Sequence, residues 1–376
     1  MNNNKFIAGL IISGNLMILS FYVLYNIRQN ISLIKGEKRF FTELSSIRDT
    51  SEAKSNKSTF KLTSWKIKTN RTITTQPVCY GDYIYFATSD SSIVAVNKIT
   101  KEEIWRFRAK DKIFSTPIIE NNLLLFGSYD HNFYALNHKT GDMAWSFSTN
   151  GIINSSAVKA YGLVFFGSYD KNLYALDLNG KLKWKFKGDA EFEFSPAVDY
   201  STVYFSSTDK HFYALNISDG SLKWKFNAKA FIGSSPAVYD NVVYFGTFDH
   251  HLYALNAQSG DEIWRYETHD IVYSPPVIGN NMVYFGCNDQ NLYALDAQSG
   301  KLRWYYTVDN EIQNKPEIYD NKIFLSCNTK SLYVLDAKTG SEIKEIKSES
   351  TITSQPSVYD GVIYLTDNNN TLMAIK

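Results

Sequence analysis

The sequence has few cysteines and almost no net charge, and both features exclude classes of function. Only Cys79, Cys287 and Cys327 occur among 376 residues. They are too few and too scattered for a disulfide framework or a Cys-X-X-Cys site, so we expect free thiols. Lysine and arginine total 39 against 38 for aspartate and glutamate. Because no overall field favours nucleic acid or an acidic membrane surface, we predict no nucleic-acid partner.

Proline is scarce as well, and its placement reveals an internal repeat. Seven of the eight prolines hold one repeat position, and only Pro275 lies elsewhere. That position follows each tryptophan by twelve residues, and the tryptophans are spaced by 39 or 40 residues: Trp65, Trp105, Trp145, Trp184, Trp224, Trp264 and Trp304. Self-similarity at a fixed period indicates one repeat array rather than two or three independent domains.

Each repeat has the pattern of four short strands. The repeat that begins at Trp224 contains the segments WKFNA, SSPAVYD, NVVYFGTFD and HHLYALN. Alternating apolar residues, β-branched and aromatic residues, and turns of Asp, Gly and Asn indicate antiparallel strands. Four strands in about 40 residues is the length of one propeller blade. We predict an all-β fold, an eight-bladed β-propeller of four-stranded antiparallel blades.

The strand count also predicts how the ring closes. Eight strands of the Tyr-Ala-Leu type end at Lys376, whereas eight strands of the tryptophan type begin at Trp65. The last repeat therefore lacks its outer strand, and residues 63–68 supply one, which removes an open sheet edge. We place the propeller at residues 63–376. The Ser-, Lys-, Thr- and Asn-rich residues 28–62 are predicted to be a flexible linker.

Residues 1–27 are predicted to be an N-terminal membrane anchor. Residues 6–27 contain no charge, and a helix of this length would span roughly 33 Å, enough for a bilayer core. A cleaved signal peptide and a buried helix are the alternatives. No A-X-A-like cleavage site follows the apolar run, which favours an uncleaved single transmembrane helix.

The side of the membrane is left open by the charges around this segment. Lys5 precedes it, whereas Arg28, Lys35, Lys38 and Arg39 follow it. The positive-inside rule would place the propeller in the cytoplasm. A large folded domain can translocate against this bias, and we expect a periplasmic or otherwise extracytoplasmic propeller.

The repeat motif resembles that of a known family. Ala294, Asp296, Gly300 and Trp304 are similar to the tryptophan-docking motif of quinoprotein dehydrogenases. The repeats also resemble the propeller lipoprotein of the bacterial outer-membrane β-barrel assembly machinery, and the wider PQQ-like repeat family. The resemblance covers residues 64–376. It supports a role for the seven tryptophans in docking each blade on the next, because a large apolar ring reaches across the gap between blades.

The resemblance does not by itself imply an enzyme. Quinoprotein dehydrogenases are much longer, and many carry adjacent cysteines, a calcium site and a catalytic aspartate. This chain has no Cys-Cys pair and no insertion between repeats, and a cofactor pocket needs loops that break the repeat. We therefore predict no enzymatic activity, no catalytic residue and no cofactor.

Recurring aspartates and scattered histidines are interpreted as structural. Aspartates recur 25 residues after the tryptophan position: Asp90, Asp130, Asp170, Asp209, Asp249 and Asp289. Aspartate side chains bond their own turn backbone, so a turn-capping role is favoured over calcium binding. Histidines spread over several turns favour solvated side chains over a metal cluster, so we predict no metal site.

Two residues are candidates for contacting a partner. The positions before the repeat proline start the innermost strands around the axis: Gln76, Thr116, Ser156, Ser195, Ser235, Pro275, Lys315 and Gln355. Crowding explains small hydroxyls there, and a ligand-binding mouth is the alternative. Lys315 is the only charge in this ring. Phe194 replaces a small residue in the pattern-breaking loop 188–194, and we predict that it contacts a partner.

These features favour a non-enzymatic scaffold. We expect a monomeric, membrane-tethered propeller that binds protein partners of the bacterial cell envelope through its loops and rim. The alternatives are a quinone-binding redox enzyme and a sensor of small ligands or glycans that uses the axial mouth.

Overall fold

The computed structural model describes residues 65–376, which form 32 β-strands. The predicted anchor at 1–27 and the predicted linker at 28–62 lie outside the described residues. Within 65–376 no helix is long and apolar enough to cross a membrane.

The strands form eight antiparallel four-stranded sheets, so the predicted eight blades are confirmed. The innermost strands are three residues long: β2 (Val78–Tyr80), β6 (Ile118–Glu120), β10 (Val158–Ala160), β14 (Ala197–Asp199), β18 (Ala237–Tyr239), β22 (Val277–Gly279), β26 (Glu317–Tyr319) and β30 (Ser357–Tyr359). The second strands are β3 (Tyr83–Thr88), β7 (Leu123–Gly127), β11 (Leu163–Gly167), β15 (Thr202–Ser206), β19 (Val242–Gly246), β23 (Met282–Gly286), β27 (Lys322–Ser326) and β31 (Val362–Thr366).

The third strands carry the Tyr-Ala-Leu phrase or a variant of it, and seven of the eight fourth strands carry a tryptophan, with β29 (Glu342–Lys347) the exception. The third strands are β4 (Ser92–Asn97), β8 (Asn132–Asn137), β12 (Asn172–Asp177), β16 (His211–Asn216), β20 (His251–Asn256), β24 (Asn291–Asp296), β28 (Ser331–Asp336) and β32 (Thr371–Ile375). The fourth are β5 (Glu103–Arg108), β9 (Met143–Ser148), β13 (Leu182–Lys187), β17 (Leu222–Asn227), β21 (Glu262–Glu267), β25 (Leu302–Thr307), β29 (Glu342–Lys347) and β1 (Trp65–Lys68).

The N-terminal strand completes the last blade, as the strand count predicts. Strand β1 pairs antiparallel with β32, with Trp65 opposite Ala374 and Lys68 opposite Thr371. The backbone N–H of Thr69 then donates to the carbonyl of Asn370 at 2.8 Å. This pairing joins the two ends of the propeller and covers the edge of β32.

The hydrophobic core lies between neighbouring blades. Along β20, Leu252 and Ala254 pack towards the sixth blade, whereas Tyr253 and Leu255 pack towards the fourth. Successive residues of a strand point to opposite faces, so one short strand contributes to two cores. Alanine occupies the point of close approach, and Ala254 is fully buried.

Consecutive antiparallel strands divide the loops between two faces of the ring. Loops from a second to a third strand lie on the same face as loops from a fourth strand to the next blade. We call this face the mouth face. The turns that join the first strand to the second, and the third strand to the fourth, lie on the opposite face of the ring.

Candidate functional site

Six of the tryptophans of the fourth strands join their blade to the next by a hydrogen bond. The indole Nε1 of Trp105 donates to the carbonyl of His138 at 3.0 Å, and that of Trp264 donates to the carbonyl of Ala297 at 3.1 Å. The same bond, between 2.8 and 3.2 Å, is made by Trp145, Trp184, Trp224 and Trp304. In several blades a tyrosine shares the acceptor: Tyr244 donates its hydroxyl to Ala297 at 3.0 Å.

A glycine of the following blade lies under each of these six indole rings. A Cβ at Gly260, where φ is +78°, would lie 2.6 Å from Cδ2 of Trp224. Any side chain would therefore meet both the ring and the positive-φ backbone. The first blade differs, because Lys101 takes this position with φ of 67°. Its Nζ lies 5.5 Å from the ring of Trp65.

The recurring aspartates hold their own turns and a tyrosine of the third strand. In the second blade, Asp130 accepts from the backbone N–H of Asn132 at 3.0 Å and from the hydroxyl of Tyr134 at 2.7 Å. Asp170 makes the same contacts in the third blade. Among residues 65–376 no group of three or more His, Cys, Asp or Glu side chains could hold a metal ion.

His138 is a buried histidine that the repeat motif does not single out. Its Nδ1 lies 2.8 Å from the hydroxyl of Tyr85, and its Nε2 is buried without a partner in the described part of the chain. Burial lowers the pKa of His138, and Lys139 adds to this effect. The only sequence signal is its position, where later repeats have alanine, leucine or isoleucine.

The hydroxyl groups of the axial ring connect neighbouring blades. Ser156 Oγ accepts from the backbone N–H of Thr116 at 2.9 Å, and Ser195 Oγ accepts from that of Ser156 at 3.1 Å. Ser235 Oγ continues the series by accepting from Ser195 at 3.1 Å. These hydroxyls thus join innermost strands that crowd around the axis.

A cavity of about 230 Å³ opens at the mouth face beside this ring. Its lining is mostly uncharged and polar, and it includes Thr74, Gln76, Phe114, Thr116, Thr353 and Gln355. The side-chain amides of Gln76 and Gln355 bond to each other across the junction of the first and last blades. The cavity thus offers hydroxyl and amide groups to an occupant.

Phe194 lies in an aromatic cluster on the same face. Its ring centroid is 6.0 Å from that of Phe231 and 6.2 Å from that of Tyr273. Phe248 extends the cluster, 4.8 Å from Phe231. All four rings are half-buried, so the cluster keeps an exposed side.

The substitution that creates this cluster removes a recurring hydrogen bond. In the third blade, Ser155 Oγ accepts from the backbone N–H of Gly167 at 3.2 Å. Phe194 holds the equivalent position of the fourth blade and has no such oxygen. The hydroxyl of Ser206, which corresponds to Gly167, is buried without a partner in the described part of the chain.

Glu193 lies next to Phe194 and is surrounded by tyrosines. Burial raises the pKa values of Tyr129, Tyr169 and Tyr273, and the nearby charge of Glu193 adds to this effect in each. Burial raises the pKa of Glu193 itself, and Glu191 adds to this effect. We call the following residues the aromatic mouth: Phe114, Tyr129, Tyr169, Glu193, Phe194, Phe231, Phe248 and Tyr273.

Lys315 precedes the innermost strand of the seventh blade and holds the repeat position that Ser195, the residue after Phe194, holds in the fourth. It is half-buried, and burial raises the pKa of nearby Glu317 while Lys315 lowers it. No ring contact or hydrogen bond in the described part of the chain joins Lys315 to Phe194.

This geometry defines a closed eight-bladed propeller in which six of the eight blade junctions dock a tryptophan on a glycine. A family model described as the β-propeller of beta-alanine-activating enzyme matches residues 119–376. The chain belongs to this β-propeller family. No curated protein sequence matches the chain.

Two solved structures are similar in fold. BamB from Moraxella catarrhalis matches with a TM-score of 0.71 and 16% identity, over 84% of this chain and 99% of that one. The computationally designed Ika8 protein matches with a TM-score of 0.74 and 14% identity, over 82% of this chain and 96% of that one. The resemblance to BamB-like propellers expected from the repeats is thus confirmed.

Proposed function

We propose that this protein is a non-enzymatic scaffold of the bacterial cell envelope that binds protein partners on its mouth face. The observation that carries the proposal is the aromatic mouth. Half-buried phenylalanine and tyrosine rings are grouped there on loops of neighbouring blades. Large aromatic side chains in a partly desolvated setting supply much of the binding energy of protein interfaces.

The proposal includes a membrane tether and an extracytoplasmic propeller. The uncharged residues 6–27 support the tether, and the linker at 28–62 would give the propeller reach. The positive charges after residue 27 argue against this orientation. Protease added to spheroplasts, whose outer membrane has been opened, would cleave the linker in the proposed orientation, whereas complete protection would overturn it.

Site-specific photo-crosslinking tests the scaffold. Benzoylphenylalanine would replace Phe194 on the mouth face or, as a control, Tyr200, which is 81% exposed on the opposite face. We expect discrete protein adducts from position 194 in native membranes and few from position 200. Equal labelling at both positions, or none at 194, would contradict the proposal.

The axial cavity supports a second candidate function. A cavity of about 230 Å³ lined by threonine and glutamine side chains could hold a small polar ligand or a glycan, whose hydroxyls such groups bind. Mass spectrometry of the protein purified from its own membranes tests this idea. A bound sugar would support the sensor, and a bound quinone would instead support a redox enzyme.

A further inference from the structure

We propose that the aromatic mouth binds a lysine or arginine side chain of the protein partner, with Glu193 as the counter-charge. This inference rests on the proposed scaffold function and names the chemistry of the partner segment. Its structural basis is a carboxylate enclosed by aromatic rings on a face that an extended segment can reach.

The loops of several blades build this enclosure. Glu193 and Phe194 lie between β13 and β14, whereas Tyr129 and Tyr169 lie in the loops that follow β7 and β11. Tyr273 precedes β22, and its ring centroid lies 6.2 Å from that of Phe194. The hydroxyl of Tyr129 donates to the amide oxygen of Asn154 at 3.3 Å, which holds its ring at the mouth.

The electrostatics of the enclosure favour a cation. The ion pairs among residues 65–376 do not include Glu193, and the neighbouring charge is that of Glu191. The hydroxyl of Tyr169 lies near the carboxylate of Glu193. A half-buried carboxylate without a positive partner gains most from a cation that brings its own charge. Aromatic faces around it attract the same ion.

The surroundings favour a protein segment over a free small cation. Phe114 contacts Tyr129, with centroids 5.1 Å apart, and also lines the polar cavity. The cavity adds threonine hydroxyls and glutamine amides, which can bond a peptide backbone on either side of the cationic residue. On the side of the aromatic mouth away from the cavity, the rings of Phe231 and Phe248 extend the aromatic surface. The whole binding surface is therefore larger than one ammonium group.

A peptide titration of the full-length protein in detergent tests the inference. The probes are fluorescein-labelled Gly-Ser-Gly-Arg-Gly-Ser-Gly, its lysine counterpart, and a version with uncharged citrulline at the centre. We expect the charged peptides to bind and the citrulline peptide to bind about tenfold more weakly or worse. Equal binding of charged and citrulline peptides, or no binding at all, would overturn the inference.

Two variants on one loop assign the site. Glu193→Gln keeps the shape of the side chain and should weaken binding of the arginine peptide by about tenfold or more. Asp189→Asn removes the same charge from a side chain that is 79% exposed, and it should change binding by less than about twofold. Loss of binding in both variants, or in neither, would show that Glu193 is not the counter-charge.

Tetramethylammonium separates the possible sources of the cation. If tetramethylammonium displaces the bound arginine peptide, and does so only in proteins that retain Glu193, the ion and the peptide bind at the same site. Binding of tetramethylammonium without any binding of the peptides would assign the site to a small organic cation and overturn the protein segment.

Crosslinking from position 194 distinguishes failure of this inference from failure of the scaffold. If Glu193→Gln leaves the protein adducts unchanged, the scaffold stands and the cation site is wrong. If the wild-type protein gives no adducts but binds arginine peptide through Glu193, the cation site stands and the scaffold is wrong.

Discussion

At the scale of single residues, stability depends on the absence of a Cβ atom where a glycine packs under a tryptophan ring. The six glycines under the indole rings have positive φ values between 68° and 79°. The indole N–H donors bond carbonyls of the same turns, so ring, turn and backbone fix one another. A side chain at such a glycine disturbs all three.

We expect Gly260→Ala to destabilise the protein by about 3 kcal/mol or more. Alanine must adopt a positive φ there, and its Cβ would lie 2.6 Å from the ring of Trp224. Gly162→Ala is the matched control, because φ is +74° but no atom lies within 4 Å of the added Cβ. It should cost only about 1–2 kcal/mol. Urea denaturation compares the two, and equal costs would refute the role of the ring contact.

Burial of His138 predicts acid sensitivity. Its folded pKa lies below its unfolded value, so the folded state disfavours the proton. Stability is therefore fully present above about pH 6.5 and is lost as the pH falls below that value, by up to about 1.4 kcal/mol per unit. His138→Ala should remove this part of the acid dependence, as seen in melting temperatures between pH 5 and 8. An unchanged pH profile would show that His138 does not contribute.

At the scale of elements, strand β1 is the closure of the ring. Trp65 and Ile67 point into the core between the last and first blades, whereas Lys66 and Lys68 are exposed. Without this strand, β32 would present unpaired backbone groups to other molecules. The closing blade thus depends on pairing between the first and the last strand of residues 65–376, which lie far apart in sequence.

We expect Ile67→Asn to lower stability by about 2 kcal/mol and to promote self-association. The substitution places an amide in the apolar core and loosens β1 from β32. Lys66→Asn is the control, since the adjacent side chain is exposed. Thermal melting and size-exclusion chromatography of both variants check the prediction. Identical behaviour would mean that β1 does not hold the ring closed.

At the scale of the whole molecule, the closed ring couples all blades. Each blade buries its two faces on two neighbours, and the last blade is closed by residues from both ends of the propeller. No blade can unfold without exposing apolar faces on both sides. Unfolding should therefore be a single transition.

The core residue Leu252 tests this coupling. Leu252→Ala removes a fully buried side chain between the fifth and sixth blades and should cost about 2–5 kcal/mol. Tryptophan fluorescence and far-UV circular dichroism should shift to one common midpoint. Leu222→Ala is the control, because Leu222 is 49% exposed. Separate midpoints for the two signals would contradict a cooperative ring.

Much of the fold follows from the sequence because the signals are local. Strand alternation, turn residues and the spacing from Trp224 to Trp264 predict the four strands of a blade, and the number of repeats predicts the number of blades. Lys101 stands where other repeats have glycine, and this difference alone indicates that the first turn closes differently. Phe192 aligns with Ile and Val of other repeats and is fully buried.

The aromatic mouth was decided only by the tertiary structure. Glu193 and Phe194 stand out in sequence, but Tyr129 and Tyr169 share one repeat position in two other blades, and Tyr273 holds a different position in a third. A repeat pattern records what the blades share, whereas this site depends on how they differ. Closure of the ring brings those differences to one axis, and that proximity gives Glu193 its aromatic surroundings.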